Sequence, residues 1–326
     1  MKTKHVLITS FFAIALIAGC KKDNPSDPIS PSPTPVAGRT VFEQFVANNM
    51  ANATQTYSVN ATTGGQVMGN KGTQLIFEPN AFRQLDGSLV TGTVTVKLVE
   101  VLSIGDMIWL NKQTIGNDNG TLKMLRSGGE LGLTASQGGN FLRIAPGGLV
   151  AKIPTSTGDT NMELFTGREN PNGDMIWTVV DSSVVDVEED YYVDTTYVVV
   201  WPDPPFYYYP SADSLFWVNC DYFYNYPNRT VVTSTIPVGQ STDSTFVWIA
   251  FPTENSMMNM SNTTGQTYSS WQEVGVGVQA VVVGLHRTPT GYNSSFTTVN
   301  VTNGLNVPMT FTPTTLTAFE DALDAL

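Results

Sequence analysis

Along "GTVTVKLVEV", Val94, Val96 and Leu98 alternate with Thr93, Thr95 and Lys97. That period of two predicts a half-buried β-strand. "STFVWIAF" and "VQAVVVGL" are apolar at successive positions, which predicts central strands covered on both faces. Most of the body repeats such short stretches of Val, Thr, Ile, Tyr and Phe between clusters of Gly, Asn, Asp and Pro, the pattern of strands and turns. Helical spacing is clear only at the end. In "TTLTAFEDALDAL", Leu316, Phe319, Leu323 and Leu326 share a stripe, and Thr317 with Glu320 reads as a capping box. A weaker helix is expected in "TVFEQFVANNMA". The expected fold is all-β, two β-sandwich-like domains in tandem with a short C-terminal helix.

"GDMIW" occurs twice, at Gly105–Trp109 and Gly173–Trp177. The neighbouring residues do not match at the same spacing, so the copies are not read as a duplicated unit. Each is expected to be a Gly-Asp turn feeding a strand whose tryptophan fills a core position.

The chain starts with "MKTKHVLITSFFAIALIAGC": two lysines, an apolar run too short to span a bilayer, then small residues before Cys20. Leu16-Ile17-Ala18-Gly19-Cys20 resembles the lipobox of bacterial lipoproteins, which implies cleavage before Cys20 and acylation of its thiol. Acyl chains would hold the protein on the bilayer without a transmembrane helix. The following "KKDNPSDPISPSPTPVAGR" carries five prolines and reads as an extended tether reaching roughly 60 Å from the lipid. Its first charged residues resemble the export signals of surface-exposed lipoproteins in Bacteroidota. The expected location is the cell envelope, lipid-anchored at the outer membrane and facing outward.

The resulting organisation is a signal peptide at 1–19, a tether at 20–39, a first domain at 40–180, an acidic and aromatic connection at 181–210, and a second domain at 211–326. Removal of Lys2 and Lys4 with the signal takes the formal charge from −12 to −14. An acidic body argues against nucleic acid as a partner. The chain has two cysteines; with Cys20 committed to lipid, Cys220 has no partner for an internal disulfide and no thiolate cluster can form.

"GGQVMGNKGTQLIFEPNAF", "DGSLVTGTVTVKLVEV", "SGGELGLTAS" and "GGLVAKIP" together resemble a ZU5-like β-sandwich module carried by lipid-anchored Bacteroidota proteins. "LFWVNCDYF" looks like the strand that opens the second domain in that lineage. The resemblance implies fold and location. The His-Phe-Ser motif at which some ZU5-containing proteins cut themselves is absent.

Candidate chemistry is sparse. His286 leaves a strand for a turn with no nucleophile elbow in the chain, and reads as a surface histidine. Cys220 lies in an apolar run and reads as an inert buried thiol. Glu100 continues the parity of Val94, Val96 and Leu98, as expected where a strand end emerges into solvent. Asp186, Glu188, Glu189 and Asp190 lack calcium-loop spacing and read as a solvated linker. Trp201, Phe206, Tyr207, Tyr208 and Tyr209 sit among prolines; they are either interface packing or ligand-binding aromatics. No cofactor and no metal are expected. The expected function is a non-enzymatic structural or interaction module, with the bilayer through acylated Cys20 and a protein or glycan as partners. A glycan-binding accessory lipoprotein is the alternative, and a glycoside hydrolase using a carboxylate pair the third reading.

Overall fold

The computed structural model describes residues 41–155, 159, 161–170, 173–180, 196–199, 206–210 and 217–326. Strands make up 54% of the structure and helix 14%, so the alternation along the chain has the consequence expected of it: an all-β fold. Helices are α1 (Val41–Ala53), α2 (Ile104–Trp109) and, at the C-terminus, α3 (Leu316–Asp324). Among the described residues no helix is long and apolar enough to cross a membrane.

In the first sheet, strands Gln55–Asn60, Thr93–Val101, Thr121–Gln137, Trp217–Phe223, Glu163–Glu169, Met175–Val179 and Ile115–Asp118 lie side by side in that order, with Asn140–Phe141 paired to the long third strand. Val94, Val96 and Leu98 are fully buried, on the face that meets a five-stranded sheet. Leu98, Leu131 and Leu133 pack there with Leu75, Phe77, Leu149, Ala151 and Ile153. Two sheets closing one apolar layer make this half a β-sandwich.

The second large sheet runs in the order Asn306–Pro308, Thr233–Thr235, Thr267–Ser270, Ser256–Thr264, Thr245–Phe251, Gln279–Thr288, Gly291–Asn300 and Thr312–Thr314. Its two central strands are the ones with uninterrupted apolar runs, and both of their faces are used. Val247, Ile249, Phe251, Ala280 and Val282 enter one core, whereas Trp248, Ala250, Val281, Val283 and Leu285 enter another. Each Val, Ile, Leu or Phe among them contributes about 1.5–3 kcal/mol when fully buried. The first core also takes in Ile115 and Met124 from the first sheet. The second is closed by the helices: Phe42 of α1 stacks on Phe246 at 4.5 Å, and Phe319 of α3 lies 6.5 Å from Trp248.

Four local expectations are corrected. Trp217–Phe223, expected to open the second domain, is a middle strand of the first sheet, hydrogen-bonded to Thr121–Gln137 on one side and Glu163–Glu169 on the other. Phe206–Pro210, expected in a connection, is a strand paired with Leu149–Thr155, with Tyr208 opposite Ile153. The first GDMIW copy is helical. Ser103 Oγ accepts from the Asp106 amide at 3.2 Å while Asp106 Oδ2 accepts from the Ser103 amide at 3.1 Å; this reciprocal box starts a helix where a turn into a strand was expected. Gly105 has no side chain because α3 approaches closely: a Cβ there would lie 2.9 Å from Asp324 Oδ1. The second copy behaves as expected. Gly173 has φ +83° and Met175 and Trp177 are fully buried in the strand that follows. Lastly, α3 is capped by Thr315, whose hydroxyl accepts from the Ala318 amide at 3.1 Å, and not by Thr317.

Candidate functional site

Glu100 is a buried structural anchor. It is 2% exposed, against the expectation of a solvent-facing strand end. Oε2 accepts from the Lys71 amide and Gln55 Nε2, both at 2.9 Å, and Oε1 from the Thr73 amide at 3.0 Å. The carboxylate thus satisfies the backbone of the 69–73 turn.

A second acidic group escaped sequence reasoning. Glu130 stands opposite Asn219 across two first-sheet strands, and the register then slips around Cys220 so that Asp221 faces Ser127. All four are 0% exposed. Asn219 Nδ2 donates to Asp221 Oδ2 at 2.6 Å and Ser127 Oγ donates to Asn219 Oδ1 at 3.2 Å. Burial first, then the charge of Asp221, pushes the Glu130 carboxyl well above the usual range, with Lys112 opposing. Burial likewise raises Asp221, opposed by bonds from Ser127, the Gly128 amide and Asn219. The Lys112 ammonium is held nearby, 2.6 Å from Glu169 Oε1 and 4.6 Å from the Trp217 ring centroid. An acid kept neutral by its surroundings has the protonation state a general acid needs. This one has no exposed surface from which to reach a substrate.

Half-exposed chemistry lies at the seam between the two large sheets. Tyr222, Tyr224 and Tyr226 recur at alternate positions as the Trp217–Phe223 strand runs out, each partly exposed. Their ring centroids are spaced 6.3 Å and 4.4 Å. Tyr222 packs against the sandwich core and Tyr226 against the core of Val247, Ile249 and Phe251, so the row bridges them. Tyr226 lies flat on Gly275, where a Cβ would meet the ring at 2.2 Å. Arg126, opposite Tyr222 in the neighbouring strand, places Nη1 3.4 Å from the Tyr222 hydroxyl and 3.7 Å from Asp159 Oδ2. Beneath the row, burial and the neighbouring Glu254 carboxylate push the Tyr226 phenol up. Tyr226 Oη, Glu254 Oε2 and Arg126 Nε complete no hydrogen bond. Buried polar atoms with unspent bonding capacity are uncommon and concentrate where function is served.

The chain matches none of the known protein-family models and none of the curated proteins.

The residues singled out from sequence fall as follows. Cys20, Trp201, Asp186, Glu188, Glu189 and Asp190 lie outside the described residues. Phe206, Tyr207, Tyr208 and Tyr209 are placed as backbone, in the strand beside Leu149–Thr155. Cys220 is fully buried, and burial raises its thiol far above ordinary values. His286 is half-buried with Nδ1 2.9 Å from Thr245 Oγ1, and burial lowers its imidazole. The Thr245 hydroxyl also reaches the Ser241 carbonyl at 2.7 Å, so the pair reads as a strand-to-strand tie. The tyrosine row was present in "CDYFYNYPN" as Tyr at every second position; that period of two is the signal by which the sequence could have revealed it.

Proposed function

We propose that the protein is a lipid-anchored envelope module that binds and does not catalyse. Acylated Cys20 moors it in the outer membrane, residues 20–39 act as tether, and the β-rich body faces outward toward a protein or glycan partner. The observation that carries this reading is the contrast between its two kinds of polar group. The perturbed carboxyls Glu130 and Asp221 are sealed inside, whereas the Tyr222, Tyr224 and Tyr226 row is offered at the surface beside Arg126 and Asp159. Partly exposed tyrosines on a rigid sheet give contact area at low conformational cost, which suits recognition. The lipobox-like Leu16–Cys20 segment and the proline-rich tether support the anchored location.

The test follows the protein through membrane fractionation and protease shaving of intact cells after labelling with a palmitate analogue. Wild type is expected to be labelled, membrane-bound and shaved from outside, and Cys20→Ala to be unlabelled and released. A freely dissolved wild-type product with an unmodified Cys20 overturns the anchored reading, and turnover of glycoside or ester substrates lost in Glu130→Gln overturns the non-enzymatic one.

A further inference from the structure

We infer that the tyrosine row is a binding platform for a neutral glycan chain, with Tyr222, Tyr224 and Tyr226 stacking on sugar rings and Arg126 and Asp159 meeting hydroxyls at the row's Tyr222 end. This deepens, and rests on, the reading of that surface as the recognition face.

Three observations select this ligand class. The first is backbone commitment: the Trp217–Phe223 strand is hydrogen-bonded on both sides, and the Tyr224 amide donates to the Met124 carbonyl at 3.2 Å. An extended peptide adding itself as a strand would need a free edge. Recognition here must therefore use side-chain faces. The second is shape. The rings follow one another at 6.3 Å and 4.4 Å, tilted by 41° and 48°, and such a stepped row of aromatic faces suits a chain ligand presenting C–H surfaces one after another. The third is charge. Arg126 and Asp159 offer a donor and an acceptor side by side, which matches hydroxyl groups that both donate and accept. The formal charge of −12 for the whole chain repels a polyanion, and Asp159 and Glu254 add local negative charge at the row.

The experiment uses the acylated full-length protein in non-ionic detergent, run through native gels containing β-glucan, xylan, mannan, starch or dextran sulfate. Retardation by at least one of the four neutral polymers is expected, and none by dextran sulfate. Tyr224→Ala should weaken it about ten-fold or more, the loss of one stacked ring, while Tyr224→Phe stays within about three-fold. Tyr208→Ala should leave it unchanged. Thermal melts followed by circular dichroism establish that Tyr224→Ala is folded; should it not be, Asp159→Asn and Arg126→Gln carry the test, each with weakened retardation expected. No retardation by any neutral polymer, retardation by dextran sulfate alone, or retardation that survives the folded variants while being lost in Tyr208→Ala, each overturns the inference. Loss of the glycan inference with Cys20 acylation intact leaves the anchored reading standing, because the two are read on different residues.

Discussion

Glu100 Oε1 accepts a hydrogen bond from the Thr73 backbone amide at 3.0 Å, joining the strand Thr93–Val101 to the turn at residues 69–73. The Lys71 amide and Gln55 side chain donate to the other oxygen, both at 2.9 Å. Removing the acceptor would orphan these donors where water reaches them poorly. Glu100→Ala should therefore destabilise the protein by about 2–4 kcal/mol, a charged hydrogen-bond acceptor lost together with the desolvation cost of its partners. Urea unfolding measures the loss, and the Lys71 and Thr73 amides should exchange with solvent faster by a factor reflecting local opening of the turn. A variant as stable as wild type, with both amides still protected, would show that the turn holds without its acid.

The Glu130 and Asp221 carboxyls make stability fall as pH rises. Both have folded-state values raised above ordinary ones of 4.5 and 3.8. Between those ordinary values and the raised ones, the folded state binds more protons than the unfolded state, so the free energy of unfolding declines with increasing pH. The contribution is complete below about pH 4 and is lost upward through the folded values, at about 1.4 kcal/mol per pH unit for each proton of difference. Glu130→Gln removes one titrating group while keeping the shape. Unfolding free energies from pH 5 to 8 should show a shallower slope in the variant; parallel slopes would mean that Glu130 is already ionised when folded.

What the sequence made legible was whatever side-chain period alone decides. Val94, Val96 and Leu98 went inward, the unbroken apolar runs became the two central strands of the second sheet, and Phe319 and Leu323 formed the buried stripe of α3. What it hid depended on partners remote in the chain. Glu100 shares the parity of Val94, Val96 and Leu98 and yet reads as a solvent-facing strand end, because the donors that make its burial tolerable belong to residues 55–73. Trp217–Phe223 carries no mark saying which sheet it will join, since the Ser127 hydroxyl that makes burial of Asn219 and Asp221 tolerable lies on a strand remote in the chain. Glu130 and Asp221 meet only because their strands pair across about 90 residues with a slipped register at Cys220. The tyrosine row showed its period of two but not its half-exposure, which follows from the seam between two cores.

The first GDMIW copy offers a sharper test of local signals. Identical five-residue stretches adopt a helix at 105–109 and, at 173–177, a turn entering the strand Met175–Val179, so their shared residues decide neither. Ser103 precedes only the first copy in a position to bond the Asp106 amide. Asp106 meanwhile accepts from the Leu102 amide at 2.9 Å and pairs with Lys71. Ser103→Ala should cost about 1 kcal/mol through the lost cap. Asp106→Ala should cost more, because it removes the return bond and the Lys71 contact as well. Chemical denaturation of both variants gives the order; equal costs, or a larger one for Ser103→Ala, would place the decisive signal elsewhere.

Cys220 provides a readout of how closed the sandwich is. Its side chain is 0% exposed and packs with Leu131, Leu164 and Val218. Burial first, then the charge of Asp221, raises the thiol well above its usual value. Reaction with a disulfide reagent requires both a thiolate and access to it, and the fold withholds both. With Cys20 acylated and two cysteines in the chain, no thiol should react in the native protein at pH 8 and a single one should react in 6 M guanidinium. The native reaction rate should then track the population of opened molecules, rising in Glu100→Ala about ten-fold for every ~1.4 kcal/mol of stability lost if opening is global. A thiol that reacts rapidly in the folded protein would mean that the strand Trp217–Phe223 leaves the sheet without global unfolding, and that the tyrosine row it carries moves with it.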